Sequence, residues 1–306
     1  MAAAQSARLG LRELLRSICS FVWPRLEQFG GREVAELAAA AVKLQCEDAT
    51  FFRCVAEFCA GRSCAFACLR DVSLLAASLF RRTAEQGSGR MAADFDCALA
   101  FQGLAVAALP HLQSGAPCTR DVAELLYSLA GALSARPPGG GPPLHTHPAA
   151  EATLEAGLAA ARPQLRRASP QDLAKIAGAA TGAWPLLPRL RQRSLDPLLR
   201  DLAEVVGQRH QEFNARDVSQ LLTGYAKVDL PCAAAVAGAL AMPASAQASV
   251  FTSKELSLLL WACARPGLAG GPCVEAALTE LRRRDLAGFA AQDLCMAGQA
   301  LARLGE

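Results

Sequence analysis

Ten basic residues recur at two fixed places in this chain. Arg32, Arg70, Arg120, Arg216 and Lys254 each stand immediately before an acidic residue. Lys43, Arg81, Lys227, Arg265 and Arg303 each stand ten residues after one. Cations repeated at a fixed spacing can neutralise a row of phosphates without reading what the phosphates connect. Two further positions, three and six residues after each acid, vary from copy to copy. There Tyr127 and Trp261 are flat enough to stack on a base, while Lys175, Gln220, Thr223 and Gln299 can hydrogen-bond to a base edge. Glu36, Glu124, Leu74, Leu258 and Met296 fill the same positions and suit such contacts poorly.

The acids that set this frame are Glu33, Asp71, Asp121, Asp172, Asp217, Glu255 and Asp293, at intervals of 38, 50, 51, 45, 38 and 38 residues. The three longer intervals carry visible insertions, at 83–90, 135–148 and 184–197. Each acid reads as part of a helix start. Ser169, Asn214 and Thr252 precede their acids by three residues, which is N-cap chemistry with a carboxylate in the first turn. Apolar residues then follow one, four, five and eight positions after the acid, as in Val72, Leu75, Ala76 and Leu79, or Val218, Leu221, Leu222 and Tyr225. That is one face of an α-helix. At about 100° per residue these positions fall between about 40° and 140°, and the two basic and two variable positions between about 240° and 300°. The cationic stripe is therefore opposite the core.

Most copies are followed by a second helical segment, with runs starting at Glu47, Met91, Ala150, Leu198 and Cys273. One helical hairpin cannot bury its apolar face alone, but a stack can. The expected fold is all-α: an α-solenoid of about seven stacked hairpins with loop insertions, the repeats starting near residues 29, 67, 117, 168, 213, 251 and 289. It forms a single domain over residues 29–306, in which the seventh copy supplies only a first helix. Residues 1–28, with Arg8, Arg12 and Arg16 against one acid, Glu13, read either as a weak organelle presequence or as a first amphipathic helix that Pro24 ends or kinks.

Bulk composition agrees. Of 306 residues, 52% are hydrophobic and 19% charged, which argues against disorder, and the dominance of Ala and Leu favours helix. A net charge of +3 does not by itself imply a polyanionic partner. The uncharged stretches Cys97–Thr119 and Leu230–Ser253 are interrupted by Pro110 and by Pro231 and Pro243, so no membrane span is expected. The twelve cysteines are scattered through amphipathic segments and read as small core residues. Cys54, Cys59, Cys64 and Cys68 crowd one stretch, but they contain no CxxC pair. His145 and His147 lie in a Pro/Gly-rich insertion. There is no phosphate loop, no nucleophile elbow and no acid–histidine cluster at catalytic spacing, so neither catalysis nor a cofactor is expected. Residues 161–210 carry nine Lys/Arg against four Asp/Glu, either a solvated face or additional phosphate contact.

The runs "FNARDVSQLLTGYAKV" from Phe213, "FTSKELSLLLWACAR" from Phe251 and "FAAQDLCMAGQALARLG" from Phe289 resemble the octotricopeptide repeat family. Those organelle-directed helical repeats are akin to the repeats of RAP-domain and FAST-kinase-like proteins. Trp261-Ala262 is the closest local match. The resemblance implies an α-solenoid that binds single-stranded RNA in a mitochondrion or chloroplast. It would act in transcript stability, processing, translation or ribosome assembly, by binding and not by catalysis. The copies at Asp121 and Asp172 depart from the phrase: they lack the Phe and carry Gly131 and Gly182 in place of the second basic residue. The alternative is a protein–protein interaction scaffold or a structural subunit of an organellar ribonucleoprotein. In that reading Leu74, Leu258, Met296 and Trp261 face protein, and the basic residues serve the helix ends.

Overall fold

The computed structural model describes residues 2–85, 95–115, 117–135, 142–265 and 271–305. The first two insertions and the run from Met91 therefore lie partly outside the described residues. The regular elements among them are all helices, with no strand. The chain divides into two compact units, Met1–Ala161 and Arg162–Glu306.

The first unit holds α1 (Ala2–Val22), α2 (Gly31–Lys43), α3 (Ala49–Gly61), α4 (Leu69–Glu85), α5 (Cys97–Gln113), α6 (Thr119–Ala132) and α7 (Pro148–Ala161). The second holds α8 (Pro170–Ala183), a single turn α9 (Pro188–Leu190), α10 (Asp196–Gln208), α11 (Ala215–Tyr225), α12 (Cys232–Ala246), α13 (Ser253–Cys263), α14 (Pro272–Arg283) and α15 (Ala291–Leu304). Each of the seven acids stands in the first turn of a helix: α2, α4, α6, α8, α11, α13 or α15. Ser169, Asn214 and Thr252 are N-caps whose side chains accept the backbone N–H of Asp172, Asp217 and Glu255. Thr252 and Glu255 complete a reciprocal capping box.

In the first unit α2 packs on α4 and α4 on α6, while α3 packs on α5 and α5 on α7. In the second unit α8, α11, α13 and α15 are successive neighbours, as are α10, α12 and α14. The apolar positions behind each acid fill the space between these rows. Val72, Leu75, Ala76 and Leu79 are buried, as are Val122, Leu125, Leu126 and Leu129, and Leu256, Leu259, Leu260 and Cys263. Tyr225 is fully buried, and its hydroxyl donates to the Leu199 carbonyl at 2.7 Å. The last copy differs. Leu294 stays exposed and Leu301 half-buried, because no helix lies behind α15 among the described residues.

Pro110 and Pro243 lie in the last turns of α5 and α12, which each run three residues past the proline. A proline in a last turn removes only one bond, near the frayed end of the ladder. The third insertion is helical: α9 and a π-turn, Arg191–Leu195, lead straight into α10. Trp184 organises it, donating its indole N–H to Asp196 at 2.9 Å while the Arg191 guanidinium lies 4.0 Å above its ring. His145 and His147 serve backbone groups. His145 Nδ1 lies 3.2 Å from the Leu133 carbonyl, and His147 Nδ1 accepts the Ala149 N–H at the start of α7.

A recurring clasp ties the end of a second helix back to the entrance of the first helix of the same hairpin, and was not legible in the periodicity. A donor beyond or near the end of a second helix reaches a backbone carbonyl in the loop that leads into the preceding first helix. Arg62 donates to Glu27, Arg209 to Ala168, Gln247 to Phe213 and Arg284 to Ser249. His111 Nε2 lies 3.2 Å from the Phe66 carbonyl, so Nε2 carries the proton there. These bonds satisfy carbonyls that no helix ladder can reach.

Two stability predictions follow. Arg209 also forms a paired contact to Glu212, at 2.9 and 2.7 Å. Arg209→Met keeps the stem but removes every donor, and urea denaturation should show a loss of about 1–2 kcal/mol. Gly103 in α5 lies so close to α3 that a Cβ would stand 2.1 Å from the Cys59 carbonyl oxygen. Gly103→Ala must push two helices apart, and the same melt should show a loss of about 2–3 kcal/mol.

Candidate nucleic-acid interface

The residue before each acid is exposed in every copy, including Arg32, Arg70, Arg120, Arg216 and Lys254. Two residues ahead of the first core position, it points away from the core at a helix start. Lys43, Arg81, Lys227 and Arg303 are exposed as well, at or beyond the last turn of their helices or near it. Arg265 is only half-buried in solvent, because its Nε donates to the Ala226 carbonyl at the end of α11, at 3.0 Å. Its guanidinium also lies 5.6 Å from the Trp261 ring centroid.

Arg70, Arg81 and Arg120 come together. They line one groove of about 520 Å³ between α4 and α6, with Leu74 and Ala77 from α4 and Glu124 from α6. All six residues belong to the stripe opposite the core. Arg81 and Glu124 form a 3.3 Å ion pair, and the Arg81 side chain is 61% exposed. Arg32 and Glu36 form another, at 3.0 Å, with both side chains mostly in solvent. Solvent screens both arginines, so either can exchange its carboxylate for a phosphate at small cost. Ser73, Cys118 and Asp121 also line the groove and were not expected there. For Ser73 and Asp121 the signal was available, since each adjoins a stripe position; Cys118 is the N-cap of α6.

The base-reading candidates are placed differently. Gln220 donates to the Ala174 carbonyl at 3.0 Å, tying α11 to α8. Tyr127 is half-buried and meets Phe80 edge-on at 5.7 Å between centroids. Lys175 is half-buried, and its charge acts on the Asp217 carboxyl. Burial pushes that carboxyl above its ordinary range, opposed by hydrogen bonding at Asn214 and by Arg216 and Lys175. Thr223 is 9% exposed, and its hydroxyl is buried with no hydrogen-bond partner. Gln299 alone of these six is exposed. Neighbouring first helices approach closely enough to draw the variable positions into their joints.

That close approach also explains one gap in the basic series. A Cβ on Gly131 would meet the Phe80 ring at 2.3 Å, so no longer side chain fits. At Gly182 a Cβ would meet nothing, and nothing in the structure explains the missing cation.

The crowded cysteines do not converge. Cys59 is buried, Cys54 half-buried, and Cys64 and Cys68 exposed. Among the described residues no group of three or more His, Cys, Asp or Glu side chains could hold a metal ion. Nor, among them, is any helix long and apolar enough to cross a membrane. Three arginines of the Arg-rich middle have partners within the chain: Arg162 pairs with Asp201, Arg191 with Trp184 and Arg209 with Glu212.

Thr223→Val tests whether the orphaned hydroxyl has any structural use. Removing an unsatisfied buried hydroxyl at constant shape should leave stability unchanged or raise it by about 1 kcal/mol in a thermal melt. A clear loss would mean that the hydroxyl is satisfied in solution. Compared with protein-family models and with curated protein sequences, the chain matches none.

Proposed function

We propose that this chain is a single-stranded RNA-binding protein built of about seven helical-hairpin repeats of the solenoid kind. It acts by holding RNA and not by catalysis. The observation that carries the reading is the groove between α4 and α6, where Arg70 and Arg120 of the first basic series and Arg81 of the second line one channel. Two series, defined by spacing alone, thus meet on one surface, as phosphate contacts on neighbouring nucleotides require. The floor of Leu74 and Ala77 is apolar and can accept the face of a base. The resemblance to octotricopeptide repeats supports an organellar RNA, in a mitochondrion or chloroplast, and a role in its stability, processing, translation or assembly into ribosomes.

A second reading has its own observation. Leu11, Leu14, Ile18 and Phe21 are exposed along one side of α1, from 41% to 63%. A contiguous apolar face of this kind suits a protein partner, as in a scaffold of a ribonucleoprotein.

The test is binding of the full chain to a pool of single-stranded RNA over a range of salt. Wild type should bind with an affinity that falls as salt rises. Replacing Arg70, Arg81 and Arg120 together by Gln should weaken binding and reduce the slope of log K against log salt by about 2, at about 0.7 per phosphate contact. Weak wild-type binding, with the same slope in the variant, would remove the groove from consideration and leave the protein-scaffold reading.

A further inference from the structure

Cys263 is the last residue of α13, and Cys273 is the second residue of α14. Their sulfurs lie 3.3 Å apart, and both side chains are buried, at 4% and 6% exposure. We propose that Cys263 and Cys273 are a site of reversible disulfide formation, oxidised by a small peroxide. The proposal does not depend on RNA binding.

The geometry needs little change. A disulfide bond is about 2.05 Å long, so the sulfurs must close by roughly 1.3 Å, within reach of small side-chain rotations at two helix ends. The two thiols also differ in the way the chemistry requires. Cys273 lies in the first turn of α14, where a helix start favours negative charge. Its thiol is lowered below the ordinary value by its hydrogen bond with Cys263 and by backbone groups at Cys273 and Val274, against the opposing effect of burial. Cys263 is raised, by that same hydrogen bond and by burial. Cys273 is thus the nucleophile and Cys263 the thiol that resolves the intermediate. By contrast, Cys59 is buried with no cysteine hydrogen-bonded to it, and burial raises it.

The reaction balances with one peroxide. The Cys273 thiolate attacks one oxygen of hydrogen peroxide, the O–O bond breaks, and the departing hydroxide takes a proton to become water. Cys273 is now a sulfenic acid. Cys263, losing its proton, attacks that sulfur. The S–O bond breaks, the S–S bond forms, and a second water leaves. Two thiols are oxidised to one disulfide, and one peroxide is reduced to two waters. The new bond would tie α14 to the end of α13, beside Trp261 and Arg265 and the bond from Arg265 to Ala226.

The experiment treats the full chain with hydrogen peroxide at a dose that oxidises the exposed Cys118. Remaining thiols are then alkylated under denaturing conditions, and the peptides are mapped by mass spectrometry without reduction. Most of the chain should yield one linked peptide pair joining Cys263 to Cys273, lost on treatment with dithiothreitol. In Cys263→Ser, Cys273 should instead be trapped by dimedone as a sulfenic acid. Recovery of both Cys263 and Cys273 as alkylated free thiols, with Cys118 oxidised, would overturn the proposal. So would their linkage to other cysteines. The wild-type map decides the matter even if the serine variant folds poorly.

Discussion

The structure depends on one constraint: its first helices are too short to stand alone. They run from eleven residues in α11 and α13 to seventeen in α4. Isolated helices of that length are marginal in water, because nucleation is unfavourable and few bonds follow it. Each must therefore lay its four apolar positions against neighbours. The acid in the first turn and the N-cap before it fix where the helix begins, and so which residues those four are. Once the core face is fixed, the opposite face is fixed too. The exposed arginines and lysines are the consequence of that rotation.

How closely the helices approach then decides what the exposed face can do. Small residues let them come near: Gly103 lies against the Cys59 backbone, Gly131 under Phe80, and Gly224 against Thr181. At such distances the side chains three and six places after the acid reach the adjacent helix. Gln220 spends its amide on Ala174, and Tyr127 packs on Phe80. Between α4 and α6 the corresponding α4 residues are Leu74 and Ala77, which carry no polar group to reach across, and there a groove opens. The open groove and the closed joints are two outcomes of one spacing.

Polar groups in the loops are managed by the clasps. Arg62, Arg209, Gln247 and Arg284 each hold a carbonyl at the entrance to the first helix of their own hairpin. Arg284 is in turn held by Glu280, which also binds Arg283; the hydrogen bonds from Arg283 and Arg284 keep the Glu280 carboxyl down to about 2. Two groups of basic residues thus part by position. Those just before the acids face solvent, and those after the second helices bind backbone.

The sequence by itself determined the helices and their orientation. Seven acids, three recognisable N-caps and a four-position apolar phrase were enough to place α2, α4, α6, α8, α11, α13 and α15 and to show which face is buried, because capping and periodicity are local properties. It also showed that the basic residues share the opposite face. Only the tertiary structure decided which of them meet. Arg70, Arg81 and Arg120 share a groove while Arg265 is held by Ala226, and Cys263 lies beside Cys273 across ten residues of chain. The clasp donors likewise find carbonyls more than thirty residues away. Such contacts depend on the distance between packed helices, set by the volumes of residues on both sides at once, and a single strand of periodicity carries no measure of that distance.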